Sequence, residues 1–494
     1  MKQYIMVIID EGTTGTRAII FDDNFQPIAQ SYDEFIQYTP NENMVEHDAM
    51  EIYEKSVKMC QNAIEKASLS ASDIRCIGIT NQRNTALLWD KKTGEPLYHA
   101  LVWQDSRMGE ASNAIRESEF FDELLEVSGK NVTPHLDVLF LKWFLDNVGG
   151  AREKVESGEA IFGTIDTWLV WKLTGGKVHA TSFSNASSSG CMDIKNEKWF
   201  SRLFDYVGVP ESVFPKIKSE SDDYGMTDVF GAPIPITGVI ADQQSALFAQ
   251  GCIKPGSVKC TNGTGSFLDI NIGTTFTTSH GGVDTLVGWK LGDTTTYAVE
   301  GFAAVTGSAV QWLRDGVKFI QKSSDIEALA ASVEDTNGVY FVPGLIGLIT
   351  PYQDPFARGL IIGITRGTTE AHIARATLEA IAFRIKDILN IVVDQGIEIS
   401  EIKIDGGASE NNLLAQMIAD YCNASVLRPE SVEATSLGAA LMAAMYMGDI
   451  TLDEVEGVMA SDAVFTPNMD SRRREEEYKI WKEAVTRSLN WIKH

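Results

Sequence analysis

Apolar runs on either side of a short polar turn predict a buried β-hairpin at the start of the chain. Residues 5–9 and 18–21 are rich in Val and Ile, and the turn between them is built from glycine and threonine. Glycines let backbone N–H groups approach a ligand, and Arg17 adds a charged donor. Asp10, at the end of the first run, has oxygens that suit a divalent cation. The stretch fits a phosphate-binding hairpin with a metal anchor, or an ordinary hairpin with a polar turn.

A second stretch repeats this pattern in the middle of the chain. Residues 257–270 again place a Gly-Thr turn, which contains Thr264, between two apolar runs. Two hairpins of this type, one near the start of each half, predict a duplicated domain that closes on one nucleotide. We expect an N-terminal domain over residues 1–250 and a C-terminal domain over 251–494, because Gly251, Pro255 and Gly256 are typical of a joint.

Polar side chains follow two other apolar runs of the N-terminal half. Arg83 and Asn84 come just after the predicted strand 74–80, and Trp103 follows a short apolar run. Ligand contacts in α/β sheets cluster at the carboxyl ends of strands, so these residues are candidates for substrate binding. A loop that faces water, and a tryptophan that belongs to the core, are the structural alternatives.

Asp242 occupies a junction between a predicted strand and a predicted helix. Within residues 234–248 a short strand ends at Asp242, and a pattern with a period of 3.6 follows it directly. An aspartate at this position is either a helix cap or a carboxylate that accepts a proton from a substrate hydroxyl during phosphoryl transfer.

Small residues open two predicted helices of the C-terminal half. The run Thr306-Gly307-Ser308-Ala309 opens one of them, and the Gly406-Gly407 pair separates a strand from the other. Such turns allow a nucleotide to approach bare backbone.

Two polar segments of the N-terminal half also carry predictions. The Ser- and Asn-rich residues 181–190 suggest a loop near the cleft, and His47 with its neighbouring acids suggests local capping and surface structure.

Composition narrows the functional classes. The 494 residues carry 42 Lys+Arg against 68 Asp+Glu, a formal charge of −26, which argues against nucleic acid or an anionic membrane as the main partner. The six cysteines contain no CxxC pair, so neither a zinc site nor a disulfide framework is indicated. We expect no signal peptide, because the first predicted strand begins almost at Met1, and no apolar run is long enough to span a bilayer; we therefore expect a cytoplasmic protein.

The order of these motifs resembles that of the FGGY carbohydrate kinases over nearly the whole chain. The resemblance depends on Asp10-Glu11-Gly12-Thr13-Thr14, Thr80-Asn81-Gln82-Arg83, Asp242-Gln243-Gln244, Gly263-Thr264-Gly265, Gln311-Trp312-Leu313-Arg314-Asp315 and Asp405-Gly406-Gly407-Ala408.

The resemblance implies an α/β fold of two actin-like, ribonuclease-H-like domains, with ATP and Mg²⁺ in the cleft between them. It implies that Asp242 is the general base and that Asp10 and Asp242 hold the metal. The nucleotide would be bound by Thr13, Thr14, Arg17, Thr264, Gly307, Gln311, Gly407 and Asn411. The substrate would be bound by Arg83, Asn84, Trp103, His135, Asp242, Gln243 and Phe267.

The implied reaction is phosphorylation of a small polyol, with glycerol as the first candidate. Family members that act on glycerol usually have Glu, Tyr and Trp where this chain has Asn84, His135 and Gln353. A longer polyol or a ketose is therefore the alternative substrate. A non-catalytic, actin-like ATP-binding regulator is a third hypothesis, which the presence of both Asp10 and Asp242 disfavours. By the same resemblance we expect a homo-oligomer, either a dimer or a tetramer.

Overall fold

The protein is described by a computed structural model that covers residues 6–278, 280–430 and 433–493. The ends of the two predicted domains, at residues 1 and 494, lie outside the described residues, as does Ile5 of the first apolar run.

The strands of the N-terminal half come in the following order: β1 (Met6–Glu11), β2 (Gly15–Phe21), β3 (Pro27–Glu34), β4 (Glu46–His47), β5 (Cys76–Asn81), β6 (Ala86–Asp90), β7 (Ala100–Leu101), β8 (Ala160–Thr164), β9 (Ala180–Ser182), β10 (Met192–Asp193), β11 (Lys198–Trp199), β12 (Lys216–Lys218), β13 (Met226–Thr227) and β14 (Ile234–Ala241). The C-terminal half continues with β15 (Ser257–Asn262), β16 (Ser266–Gly273), β17 (Asp284–Leu291), β18 (Thr294–Ala303), β19 (Tyr340–Val342), β20 (Leu360–Ile362), β21 (Glu401–Asp405), β22 (Ser425–Pro429) and β23 (Ser461–Phe465).

The helices up to the middle of the chain are α1 (Ala49–Lys66), α2 (Gly109–Arg116), α3 (Phe121–Ser128), α4 (Asp137–Asn147), α5 (Ala151–Glu156), α6 (Ile165–Leu173), α7 (Phe183–Ser188), α8 (Ser201–Val207) and α9 (Asp242–Ala249). Those that follow are α10 (Gly307–Asp315), α11 (Asp325–Ala331), α12 (Glu370–Val393), α13 (Asn412–Cys422), α14 (Ala434–Tyr446), α15 (Leu452–Val455) and α16 (Ser471–Ser488). Short 3₁₀ helices cover Ala71–Asp73, Glu211–Val213 and Gly407–Glu410.

The large sheet of the N-terminal half has the strand order β13-β14-β5-β1-β2-β3. β1 and β2 form the predicted antiparallel hairpin, whereas β5 runs parallel to both β1 and β14. Asp10 is paired with Thr80, and Ala241 is paired with Asn81. These pairings bring the ends of β1, β5 and β14 to one edge of the sheet, so Asp10, the loop that carries Arg83, and Asp242 lie together.

The large sheet of the C-terminal half repeats this arrangement, with the order β17-β18-β16-β15-β21-β22-β23. β15 and β16 form the second predicted hairpin, and β21 runs parallel to β15 with Asp405 beside Thr261. The Gly-Thr turn after β15 and the Gly-Gly turn after β21 therefore reach the same edge. The predicted division after residue 250 stays a prediction.

Helix α14 belongs to the C-terminal half but packs on the N-terminal sheet. Its Ala439 carbonyl oxygen would lie 2.7 Å from a Cβ at Gly78, and its Ala443 nitrogen 2.6 Å from a Cβ at Gly238. Only glycine on β5 and β14 admits this approach of backbone to backbone. The two halves are thus joined through a buried, alanine-rich helix.

Two local predictions were wrong. The Ser- and Asn-rich segment is not a loop: it forms α7, whose residues are all buried. The segment tolerates burial because its own backbone accepts the hydroxyl hydrogen bonds, as when Ser188 Oγ donates to the Ser184 carbonyl at 2.8 Å. His47 and Glu46 are also buried rather than superficial, and Glu46 is paired with the Arg107 guanidinium at 2.7 Å. The capping predicted for the same segment is confirmed, because the Asp48 side chain caps α1 by accepting from the Met50 and Glu51 backbone N–H groups.

Candidate active site

Asp10 lies in the cleft at the end of β1. Ser436 Oγ, from the start of α14, donates a hydrogen bond to Asp10 Oδ2 at 2.7 Å. Burial raises the pKa of Asp10 to about 6, the Ser436 hydrogen bond and the Arg17 charge lower it, and the Asp242 charge raises it further. Asp10 and Asp242 are thus close enough to interact electrostatically, as two ligands of one cation would be.

Asp242 is the first residue of α9, and the residue that caps this helix is Ala241. The Gln243 backbone N–H donates to Asp242 Oδ1 at 2.7 Å, and Arg83 Nε lies 3.4 Å from the same oxygen. Burial raises the pKa of Asp242 above its ordinary value, whereas the Arg83 charge lowers it. The helix start and the arginine together hold one carboxylate oxygen in a fixed position.

Arg83 connects the two halves of the molecule. Its Nη2 lies 2.7 Å from Glu300 Oε2 on β18, and its side chain is 14% exposed. Its Nη1 is buried and has no hydrogen-bond partner within residues 6–278, 280–430 and 433–493. A buried guanidinium with an unused N–H group is an expected donor for a substrate oxygen.

Gln243 is held from the opposite side by a buried lysine. Lys259 Nζ donates to Gln243 Oε1 at 2.6 Å and to Asp269 Oδ2 at 3.0 Å. Because the lysine occupies the amide oxygen of Gln243, the amide NH₂ is left for other partners. Sequence reasoning found Gln243 but missed Lys259 and Asp269. The sequence feature that could have identified them is the presence of charged residues inside otherwise apolar strands.

Aromatic side chains line the cleft beside these polar groups. Trp103 is 39% exposed and donates from Nε1 to Thr13 Oγ1 at 2.9 Å. Phe267 is 37% exposed and stacks on Phe302, with 4.2 Å between the ring centroids. Trp103 therefore connects the substrate side of the cleft to the first hairpin, and both rings offer an apolar surface to a carbon chain.

Asn84 and His135 lie together at the substrate side. Asn84 has a positive φ of 59° and donates from Nδ2 to the Ser188 carbonyl at 2.8 Å. The same amide approaches the His135 carbonyl at 3.5 Å. Burial and the nearby Lys130 charge lower the pKa of His135 to about 3, so its imidazole is neutral at ordinary pH. The Asn84 amide is thus engaged by backbone.

The remaining predicted residues of the first hairpin, Thr14 and Arg17, are partly or fully accessible to solvent. Thr14 is exposed, and Arg17 is about one-third exposed and forms an ion pair with Glu433. Ser436 and Glu433 were both missed by sequence reasoning, since they reach the hairpin only through the long-range packing of α14.

Five of the predicted nucleotide residues line one cavity of about 560 Å³ in the C-terminal half. They are Thr264, Gly307, Gln311, Gly407 and Asn411. Apolar contributions come from Ile326, Leu378 and Leu414, and polar ones from Ser323, Ser324 and Glu327. A cavity of this size, with apolar walls and Gly-rich turns at its rim, suits a nucleotide base and ribose.

Comparison with known proteins identifies the fold and the family. The sequence matches the FGGY family of carbohydrate kinases, N-terminal domain, over residues 5–249, and the C-terminal domain of that family over residues 258–447. The chain belongs to the FGGY family of carbohydrate kinases. The predicted family and two-domain α/β fold are therefore confirmed.

Similar proteins are named glycerol kinase. Glycerol kinase 2 of Sulfolobus acidocaldarius is 45% identical, with 100% of this chain and 99% of that protein covered. Glycerol kinase of Caldanaerobacter subterraneus is also 45% identical, with 99% of both chains covered. The crystal structure of Plasmodium falciparum glycerol kinase with ADP has a TM-score of 0.94 and 33% identity, and covers 100% of this chain and 99% of that one.

No helix within the described ranges is both long and apolar enough to cross a membrane. The individual site residues of this FGGY kinase stay predictions, although the fold brings them to one cleft.

Proposed function

We propose that the protein transfers the terminal phosphoryl group of ATP to a hydroxyl of glycerol and forms glycerol 3-phosphate. The observation that carries the proposal is the position of Asp242. It lies between Arg83 on the substrate side and Asp10 on the phosphate side, in a chain whose full-length relatives are named glycerol kinase.

Asp242 is the proposed general base. Its carboxylate accepts the proton of the attacking hydroxyl while the new O–P bond forms and the bond from the γ-phosphorus to the bridging oxygen breaks, which releases ADP. Arg83 orients the substrate oxygens through its unused N–H group. Trp103 and Phe267 cover the carbon chain and exclude water, which disfavours hydrolysis of ATP.

Asp10 and Asp242 fit a magnesium ion. Both offer carboxylate oxygens, and Mg²⁺ is usually bound through one or two carboxylates together with substrate phosphates. The absence of any cluster of three metal-ligating residues among the described parts of the chain agrees with that mode of binding. When bound, Mg²⁺ neutralises charge on the phosphates. Thr13, Thr14 and Arg17 would supply further donors to these phosphates.

The second candidate substrate is a longer polyol or a ketose. The position of Asn84 favours it, because the amide of this residue is hydrogen-bonded to the Ser188 carbonyl and adds no charged acceptor to the pocket. His135 is neutral and offers one donor and one acceptor.

Two broader features also belong to this proposal. We expect a homo-oligomer that works in the cytoplasm, as the family resemblance implies. A non-catalytic regulator is disfavoured, because Asp10 and Asp242 are both present.

The test is the identification of the product. Purified protein with MgATP and glycerol should release ADP and yield glycerol 3-phosphate by ³¹P NMR, whereas Asp242→Asn should yield almost none. Release of inorganic phosphate alone, or equal product from the variant, would contradict the proposal.

A further inference from the structure

A row of charged side chains crosses four adjacent strands of the C-terminal sheet and faces the polyol residues of the N-terminal half. Its members are Lys259 on β15, Asp269 on β16, Glu300 on β18 and Asp284 on β17. We propose that this charged row is a positioning device for the polyol site, in which Glu300 orients Arg83 and Lys259 orients Gln243 from across the cleft. The inference rests on the function proposed above.

Strand register places the four side chains side by side. Lys259 pairs with Asp269, Asp269 pairs with Glu300, and Glu300 pairs with Asp284. Residues directly opposite each other on neighbouring strands point to the same face of a sheet and lie about 5 Å apart. The same face continues to Phe267 and Phe302, two positions along β16 and β18, and these rings lie at the substrate side of the cleft.

Members of the charged row contact the N-terminal half at three points. Glu300 Oε2 forms an ion pair with Arg83 Nη2 at 2.7 Å without hydrogen-bond geometry, and Lys259 Nζ donates a hydrogen bond to Gln243 Oε1 at 2.6 Å. Asp284 accepts hydrogen bonds at 2.8 Å from Lys130 Nζ and from the Asn131 backbone N–H. Lys130 and Asn131 precede His135 in the same loop. Each contact therefore ends on a candidate polyol residue or on the loop that carries one.

Burial makes these contacts restrictive. Lys259 is 2% exposed and Asp269 is 3% exposed, while the Glu300 side chain is 14% exposed. A buried charge without its partner is costly, so neither member of a pair can rotate away freely. The charges also balance: Lys259 opposes Asp269, Arg83 opposes Glu300, and Lys130 opposes Asp284.

The polyol site depends on residues from both halves of the molecule. Arg83 and Gln243 both follow from N-terminal strands, but their side-chain orientations depend on charges that the C-terminal half supplies. Lys259 fixes the Gln243 amide so that its NH₂ is available to a substrate oxygen, and Glu300 holds Arg83 beside Asp242. The polyol site is therefore complete only when the two halves are arranged as observed. Glu300 and Lys259 act through other residues and are positioning residues, not catalytic ones.

The test compares two Glu→Gln variants. Glu300→Gln keeps the size of the side chain but removes its charge. Glu197→Gln is the matched control, since Glu197 also spans the two halves, by contacts with Lys290 and Thr295, but is not part of the charged row. KM for glycerol, KM for ATP, kcat and the melting temperature are measured for the wild type and both variants. Glu300→Asp, which keeps the charge on a shorter side chain, is the second variant and is expected to fold even where Glu300→Gln does not.

We expect Glu300→Gln to raise KM for glycerol by about tenfold or more, with KM for ATP changed by less than about threefold. Glu300→Asp should recover part of the glycerol affinity, and Glu197→Gln should keep both KM values of the wild type.

A merely structural role of Glu300 would lower the melting temperature and change KM for glycerol and KM for ATP together, and that result would overturn the inference. An unchanged KM for glycerol in Glu300→Gln would overturn it as well, as would an unchanged value in Glu300→Asp if Glu300→Gln does not fold. A wild type that phosphorylates none of the polyols would overturn both the proposed function and this inference, whereas an active wild type with an unaffected variant overturns only the inference.

Discussion

Substitution of Gly307 by alanine should disturb the nucleotide site, because the added methyl group has no space. A Cβ on this residue would lie 2.2 Å from the Gly263 carbonyl oxygen and 3.2 Å from its carbon. The Gly307 backbone N–H donates to that same carbonyl at 3.1 Å. Because all these atoms belong to backbone, no change of rotamer can relieve the contact in Gly307→Ala.

The size of the displacement sets the expected effect. Ordinary contacts of a Cβ begin at about 3.4 Å, so the two backbone segments have to separate by about 1 Å. Gly263 and Thr264 form the turn of the second hairpin, where the phosphates are expected. A misplacement of about 1 Å in a reacting group costs about 10²-fold in rate. Overpacking of this kind costs a further 1–3 kcal/mol of stability, roughly.

The assay measures kcat, KM for ATP and the melting temperature of Gly307→Ala beside a matched control. Gly407→Ala is that control, because Gly407 lines the same cavity but a Cβ there meets nothing within 4 Å. The control should melt like the wild type, and any kinetic effect should be confined to KM for ATP. If Gly307→Ala keeps the wild-type kcat, or if both variants lose stability equally, the reasoning about this contact is wrong.

Three further predictions concern single side chains. Asp242→Asn should lower kcat by about 10²–10⁴-fold because the general base is lost, while binding of nucleotide in the absence of Mg²⁺, measured by calorimetric titration, should not weaken; equal turnover would refute its role. Asn84→Asp should cost about 1–3 kcal/mol in chemical denaturation, since a carboxylate would replace the donor that faces the Ser188 carbonyl; Asn147→Asp, whose amide donates at an exposed site, should cost less. Burial, and then the Glu477 charge, raises the pKa of Glu379 to about 7, so the folded wild type binds a proton between pH 4.5 and 7 that the unfolded chain releases. As the pH rises from 4.5 to 7, the stability of the wild type should therefore fall relative to that of Glu379→Gln, by up to about 3 kcal/mol at pH 7. A difference in stability that does not depend on pH would contradict the raised pKa of Glu379.

The local features of the site could be predicted from the sequence because each has a short-range signal. The Gly-Thr turns lie between apolar runs that became β1–β2 and β15–β16, and Asp242 lies where a strand pattern changes to a helix pattern. Glycine at 307 and 407 marked the turns that now line the nucleotide cavity. In each case a few neighbouring residues determine the conformation.

Long-range features could not be predicted in the same way. The charged row depends on the register of four strands that are up to 41 residues apart in sequence, from Lys259 to Glu300. The contact of Ser436 with Asp10 depends on the packing of α14 across the N-terminal sheet. The burial of α7 required hydroxyl groups that hydrogen-bond within the helix, and its polar composition alone suggested a loop. Pairing across such distances is not encoded in any local pattern.

Phosphorylation of glycerol is tested by measuring kcat/KM for the ATP-dependent phosphorylation of a panel of substrates. The panel contains glycerol, dihydroxyacetone, erythritol, threitol, xylitol, ribitol and xylulose. We predict that glycerol has the highest kcat/KM of the panel. A higher value for a longer polyol or a ketose would contradict the choice of glycerol but not the kinase chemistry. If none of these compounds is phosphorylated in the presence of ATP, the proposed kinase function itself is contradicted.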